Sequence, residues 1–474
     1  MTQRPSTTFT HVFGKGVLRA GALTLAGLAL AGCSILSFGR SSDADLKGEA
    51  PPEEERISVL SLGESLDPDP RFLTTSISLP PSYKNPAWTQ AGGAADHSAH
   101  HLEAELALKT DWVSDVGAPT TKKVRITAPP IVSDGKIYTL DASATVQASD
   151  ASSGKRLWRT QLTTDMRKKR RRFALRSPNA QALGFGGGVA YEDGRVFVST
   201  GFGYVAALDA ETGEETWRTE TGAPVRTAPA VANGRVFATN TNNRLVALDA
   251  ATGASLWDFQ AFEEAARILS SASPAVDDDL VIAPFSSGEV VALRAQNGRV
   301  VWAETLSRAS RLTALSTLSD IAGAPVIDRG LVYAVSHSGR TAAIDIRSGR
   351  RVWEKNVGGI HMPWAAGDYL FMVTVEGDLV CLARQDGAVA WVTELPKYKN
   401  EKRRKGKITW AGPVLASDML YLISTEGRVI GVDAVSGEVK ASERLVKGGS
   451  VLPPIVVDGK LYVLSDKGKL VAVR

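Results

Sequence analysis

Leu208-Asp209-Ala210-Glu211-Thr212-Gly213-Glu214-Glu215-Thr216-Trp217 is one copy of a phrase that recurs along the chain. Its glycine returns seven times, as Gly154, Gly213, Gly253, Gly298, Gly349, Gly387 and Gly437. The residue before each glycine is Ser, Thr, Asn or Asp, small side chains that bond their own turn, while glycine supplies a positive φ. Four residues earlier stands Asp150, Asp209, Asp249, Asp345 or Asp433, with Arg294 and Ala383 as exceptions. Four residues later stands Trp158, Trp217, Trp257, Trp302, Trp353 or Trp391, and the last copy has Ala441. Turn chemistry recurring at a spacing of about 40–50 residues marks an array of one supersecondary unit.

A second pattern precedes each turn. Pro229-Ala-Val-Ala-Asn-Gly234-Arg-Val-Phe237 has counterparts beginning at Pro130, Pro274, Pro325, Pro363, Pro413 and Pro454, and a copy without proline at Gly188. A third run of small and branched residues follows, such as Leu245-Val-Ala-Leu248. Short β-rich runs between tight turns predict four strands per unit, the composition of a propeller blade. The eight upstream patterns face only seven downstream ones, because the chain ends at Leu470-Val-Ala-Val-Arg474. Trp112-Val-Ser-Asp-Val-Gly117 resembles Trp353-Glu-Lys-Asn-Val-Gly358, so a strand near Glu105–Val113 is expected to complete the last blade. The fold class is therefore all-β: an eight-bladed β-propeller closed by an N-terminal strand, which removes open sheet edges at the seam. The repeated tryptophans are expected to be core, each burying its ring between adjacent blades.

A chain of 474 residues ordinarily predicts about two or three domains. The repeat replaces that expectation with one ring over 87–474. Ahead of it, residues 1–32 carry Arg4, Lys15 and Arg19, no acid, and the apolar run Ala20–Ala31. That run is too short to span a bilayer and matches the apolar region of a secretory signal. It ends in Leu30-Ala31-Gly32-Cys33, which resembles a bacterial lipobox, so Cys33 is expected to be the lipidated first residue of the mature chain. Ser34 follows rather than an aspartate of the inner-membrane retention type, which favours the periplasmic face of the outer membrane. Residues 33–86, rich in acids and prolines, are read as the lipidated N-terminus and a disordered tether.

The net charge of +4 falls to +1 once the three cations before Cys33 are removed, which predicts no nucleic-acid partner. Two inserts are nevertheless strongly basic, Arg167–Arg172 and Lys397–Lys407. They read as solvated loops, or as surfaces for anionic lipid or an acidic partner. Cys381 sits in the apolar run Leu379-Val-Cys-Leu382 and reads as a small buried hydrophobe. His97, His100 and His101 lie close together but read as a polar loop rather than a metal site, and no metal or cofactor is expected.

The lipobox, the Thr-Gly-x-x-x-Trp repeats and the eight-blade count together resemble the BamB family, the propeller lipoproteins of the outer-membrane β-barrel assembly machinery. The likeness runs from about Ala87 to Arg474. It is sharpest at Leu318-Ser319-Asp320-Ile321, ahead of Ala324-Pro325 and the repeat ending at Trp353. The resemblance implies a non-enzymatic scaffold that docks on the barrel-inserting subunit and assists folding and insertion of outer-membrane proteins. Unfolded clients are a further implied partner, with the membrane reached through the lipid anchor. It implies docking by loops on one rim: Leu318 and Asp320 in one, and Arg267, Ile268 and Leu269 in the stretch before Ser273-Pro274. Apart from the resemblance, Arg267, Arg308 and Arg311 are expected to offer charge-assisted hydrogen bonds to a partner carboxylate. The family's second acid after the Leu-Ser-Asp loop is replaced here by Ala322, and the arginine of the other loop is shifted. Two other readings stand beside this one. The repeat also resembles quinoprotein dehydrogenases, which hold pyrroloquinoline quinone in an eight-bladed propeller. The adjacent-cysteine pair of that family is absent, and neither a calcium ligand set nor a catalytic aspartate can be assigned. The other is a periplasmic propeller that binds the cell wall or a substrate.

Overall fold

A computed structural model describes residues 66–74, 76–163, 186–262, 272–306 and 321–474, all within the unit Leu60–Arg474. Eight four-stranded antiparallel sheets form the ring. Blade 1 consists of Ile131–Ser133, Lys136–Leu140, Thr145–Asp150 and Arg156–Gln161, from the inner strand outwards. Blades 2 to 7 repeat this order, with inner strands Gly187–Glu192, Ala230–Ala232, Ala275–Asp277, Ile321–Asp328, Trp364–Ala366 and Trp410–Ala416. Blade 8 is composite. Ile455–Val457, Lys460–Leu464 and Lys469–Val473 come from the C-terminus, and the outer strand is Thr110–Asp115. Val113 pairs with Val471 and Asp115 with Lys469. The closing strand expected near Glu105–Val113 thus exists, a few residues later in the chain.

The repeat phrase forms the turn between the third and outer strands. In blade 1 the Asp150 carboxylate accepts from the backbone of Ser152 and Ser153 and from both hydroxyls, at 2.6–3.1 Å. Gly154 then takes a φ of +70°. Asp209, Asp249, Asp345 and Asp433 cap their turns in the same way.

Each outer-strand tryptophan docks on the following blade. The Trp158 indole donates to Ala210 O at 2.9 Å, and two residues later Thr160 Oγ1 donates to Gly213 O at 2.6 Å. Trp217, Trp257, Trp302, Trp353 and Trp391 donate to Ala250, Ala295, Ile346, Arg384 and Ala434 respectively. The ring lies so close to the turn that a Cβ at Gly213 would stand 2.4 Å from Trp158. The tryptophans are inter-blade core, as expected. A register shift recurs beside each of them, for example between Ala148 and Ser149 opposite Trp158. This bulge turns the ring inward and leaves the preceding residue outside. Leu157, Leu256, Val301 and Val352 are exposed for that reason.

Candidate docking surface

The antiparallel meander gives the ring two unlike faces. Turns from inner to second strand and from third to outer strand share one face, since Lys136 pairs with Asp150 at that end of blade 1. Turns from second to third strand share the other face with every blade-to-blade linker, since Thr145 pairs with Gln161 there. This second face is the linker face.

The residues singled out from sequence for docking, Arg267, Ile268, Leu269, Arg311, Leu318 and Asp320, lie outside the described residues, as does Cys33. The described flanks locate where those segments leave the ring. The first departs at Phe262 and returns at Ala272, between blades 3 and 4. The second departs at Leu306 and returns at Ile321, between blades 4 and 5. Both therefore border blade 4. The flanks are pinned to its second-to-third turn. Glu289 accepts from the Phe262 N–H at 3.3 Å and from the Ser287 hydroxyl at 2.6 Å. Leu306 N donates to Gly288 O at 2.9 Å, and Ile321 N to Phe285 O at 3.4 Å. On the other side, Asn243 Nδ2 donates to Phe262 O at 2.6 Å, and its carbonyl oxygen accepts from Ser286 Oγ at 2.8 Å. One short turn thus holds Phe262, Leu306 and Ile321, three of the four ends of these segments, on one rim. The flanks of the basic insert Arg167–Arg172, itself outside the described residues, are Thr163 and Gly186 on the same face. The insert Lys397–Lys407 is described and leaves that face between blades 6 and 7.

The opposite end of the channel is occupied by the chain's own N-terminal approach. Between Asn85 and Leu102 this segment bonds to the inner part of every blade. Trp88 exchanges two backbone hydrogen bonds with Val132 of blade 1, and Thr89 O accepts from Tyr191 N of blade 2. The Gln90 side chain satisfies both the N–H and the C=O of Val231 in blade 3, at 2.8 and 2.6 Å. Ala95 and Asp96 accept from Val276 and Ile327 of blades 4 and 5. His100 O accepts from the Trp364 indole of blade 6 at 2.6 Å. Leu102 bonds with Leu415 and Ser417 of blade 7, and Asn85 with Val456 and Asp458 of blade 8. Residues 66–86, assigned to the tether from composition, also touch the ring: Asp69 N donates to Val389 O at 2.8 Å, and Arg71 pairs with Asp386 at 2.8 Å.

The histidines of this segment serve the plug. His97 is buried, and its Nδ1 donates to Pro325 O at 2.8 Å. Burial lowers its pKa to about 4, only partly offset by that bond. His101 donates from Nδ1 to Pro80 O and accepts at Nε2 from Asp418 N, which specifies one neutral tautomer. Among the described residues no three His, Cys, Asp or Glu side chains are placed to hold a metal ion. Cys381 is fully buried, and desolvation raises its pKa well above the usual thiol value. Sequence reading found these histidines but not their role, which depends on inner strands far away in the chain.

Comparisons with known proteins agree with this architecture. A family model described as outer membrane protein assembly factor BamB matches residues 142–393. The proteins of that name from Xanthomonas campestris and Salmonella typhimurium are 32% and 30% identical to this chain. The Xanthomonas match covers 81% of this chain and 90% of the relative, and the Salmonella match 73% and 83%. The Escherichia coli protein is 27% identical over 78% of this chain and 90% of its own length. Among solved structures, BamB from Moraxella catarrhalis superposes with a TM-score of 0.63 at 20% identity, covering 77% of this chain and 99% of that one. A europium-containing methanol dehydrogenase superposes with a TM-score of 0.62 at 15% identity, covering 80% of this chain and 89% of that one. At such identities both likenesses concern the fold alone.

Proposed function

The chain belongs to the family of the outer membrane protein assembly factor BamB, and from that premise we propose that it is a non-enzymatic scaffold of outer-membrane protein assembly. It is held at the periplasmic face of the outer membrane by lipid on Cys33. It docks on the barrel-inserting subunit through the linker face around blade 4, using Arg267, Ile268, Leu269, Arg311, Leu318 and Asp320.

The observation that carries this reading is the convergence of two chain segments on one blade. The segments bearing these residues leave and rejoin the ring on either side of blade 4, and their flanks are bonded to the turn at Phe285–Glu289. A rigid ring presenting neighbouring loops on one rim is the usual way a scaffold carries recognition. Arginine and aspartate flanked by leucine and isoleucine supply charge-assisted bonds around apolar anchors. The fold it shares with quinoprotein dehydrogenases carries no chemistry by itself.

The test is a mild-detergent pull-down of the tagged, lipidated chain with Asp320→Arg and Arg267→Glu variants alongside. Recovery of the barrel-inserting subunit, weakened at least about tenfold by either charge reversal, supports the reading. If wild type never recovers that subunit, the docking assignment is wrong; if both variants recover it undiminished, the rim is misplaced.

A further inference from the structure

The basic insert between blades 6 and 7 is not a shapeless loop. Tyr398–Asn400 and Lys405–Lys407 form a two-stranded hairpin, with Tyr398 opposite Lys407 and Asn400 opposite Lys405. Its root is fastened to the ring. The Trp410 indole donates to Pro396 O at 2.9 Å, and Ile408 N to Lys397 O at 2.8 Å. The connecting loop is ordered from within: Glu401 accepts from the N–H groups of Lys397 and Tyr398, and Asn400 Oδ1 from Arg403 N.

Charge divides sharply along this hairpin. At the root, Lys397 pairs with Asp378 at 2.8 Å and Lys399 with Glu426 at 2.7 Å. Lys402, Arg403, Arg404 and Lys405 at the tip, and Lys407 opposite Tyr398 nearer the root, are all exposed, and among the described residues none has a carboxylate partner. The hairpin's one acid, Glu401, is engaged by backbone N–H groups. Five unneutralised cations are thus held together on a stiff projection, where their mutual repulsion has no internal compensation.

We propose that this tip is an electrostatic docking site for a membrane surface bearing anionic phosphate headgroups. A protein partner is disfavoured because the hairpin's aromatic and aliphatic side chains, Tyr398 and Ile408, are half-buried at its root and leave the tip at 401–406 without an anchor, whereas protein interfaces centre on such anchors. A single-stranded nucleic acid is disfavoured for the same lack of a stacking side chain. A convex cluster dominated by lysine and arginine, without a pocket, matches a laterally diffuse layer of negative charge. Location at a membrane rests on the family reading above, but the docking contact around blade 4 does not enter it. The two can fail separately.

The test is co-sedimentation of the full mature chain with vesicles of phosphatidylglycerol in phosphatidylcholine, and with vesicles of phosphatidylcholine alone. All chains carry Cys33→Ser, so that no acyl anchor saturates binding to either vesicle and their difference isolates charge. The variants are the combined K402Q/R403Q/R404Q/K405Q/K407Q and, as a smaller change, K402Q/R403Q. We expect wild type to prefer the anionic vesicles and to lose that preference as salt rises. The combined variant should lose about tenfold or more of it while keeping the wild-type melting curve, and the double variant should fall between. Equal binding to both vesicles by wild type, or undiminished preference in the variants, would overturn the proposal. So would stronger competition by soluble polyglutamate or DNA than by the anionic vesicles themselves.

Discussion

The indole of Trp112 lies against Gly154, so close that a Cβ on the glycine would stand 2.5 Å from its Cε3 atom. Trp112 belongs to the outer strand of blade 8 and Gly154 to the third-to-outer turn of blade 1, so this contact joins the two ends of the ring. Ser114 Oγ reinforces it with a bond to Gly154 O at 2.6 Å. The same pairing occurs as Trp158–Gly213, Trp217–Gly253, Trp257–Gly298, Trp302–Gly349, Trp353–Gly387 and Trp391–Gly437. It is missing between blades 7 and 8 alone. There the chain ends at Arg474 and blade 8 has no third-to-outer turn, and there the tryptophan is replaced by Ala441.

Substituting Gly154 by Ala should destabilise the ring by about 3 kcal/mol or more, because the new methyl both strains a left-handed backbone and collides with Trp112. Gly135 is the control. Its φ is +69° but nothing lies within 4 Å of a Cβ there, so Gly135→Ala should cost only about 1 kcal/mol of backbone strain. Denaturant titration of the two variants measures the difference, and equal losses would refute the steric argument.

Trp391→Ala should cost about 3–5 kcal/mol, since the ring is buried against Gly437 and bonded to Ala434 O. Ala441→Trp should yield no matching gain. The neighbouring blade offers no glycine turn to receive a ring, so the indole would stay in water. A clear rise in melting temperature for Ala441→Trp would show that the turn is not what the tryptophan needs.

Gln90→Leu should cost about 2–4 kcal/mol, because it leaves the buried N–H and C=O of Val231 without partners. Hydrogen exchange adds a local readout: the Val231 amide should lose protection while the Phe237 amide of the adjacent strand keeps its own. Uniform loss would mean that the plug supports the ring globally rather than blade by blade.

Stability should fall as pH drops from about 6.5 to about 4, in part through His97. Its folded pKa of about 4 lies below the unfolded value of 6.5, so the unfolded chain takes up the proton first. The contribution is fully present above 6.5 and is lost by about pH 4, on the order of 3 kcal/mol in total. Asparagine tolerates the φ of +63° at this position and retains an N–H donor for Pro325 O. His97→Asn should therefore be less stable at pH 7.5 but lose less between pH 7.5 and pH 5 than wild type. An unchanged slope in denaturant titrations at the two pH values would assign the acid sensitivity elsewhere.

Much of the ring was legible in one dimension. A turn glycine, its capping aspartate and its tryptophan act within about ten residues, and repetition turned one weak local signal into a count of blades. The strand completing blade 8 could be found because Trp112-Val-Ser-Asp repeats the phrase of an outer strand. Other features depend on residues that only folding brings together. The bulge that exposes Leu157 and Val352 arises from pairing across strands, which composition does not encode. The acids and prolines of residues 33–86 suggested a free tether, yet within that stretch Asp69 and Arg71 find partners at Val389 and Asp386, over 300 residues away. The plug could not be inferred from its own stretch, because its meaning lies in the backbone groups that seven blades offer it and in the Trp364 indole of the remaining one. The residues proposed from sequence for docking lie outside the described residues, and the fold places only the points where their segments leave the ring, on either side of blade 4. The basic run at 397–407 read as charge alone, and tertiary structure decided which cations the ring neutralises and which it leaves without a carboxylate. Sequence by itself thus determined the repeating unit, since its turn and its tryptophan are local; the closure of the channel and the distribution of free charge were decided by tertiary structure, since both depend on which distant residues meet.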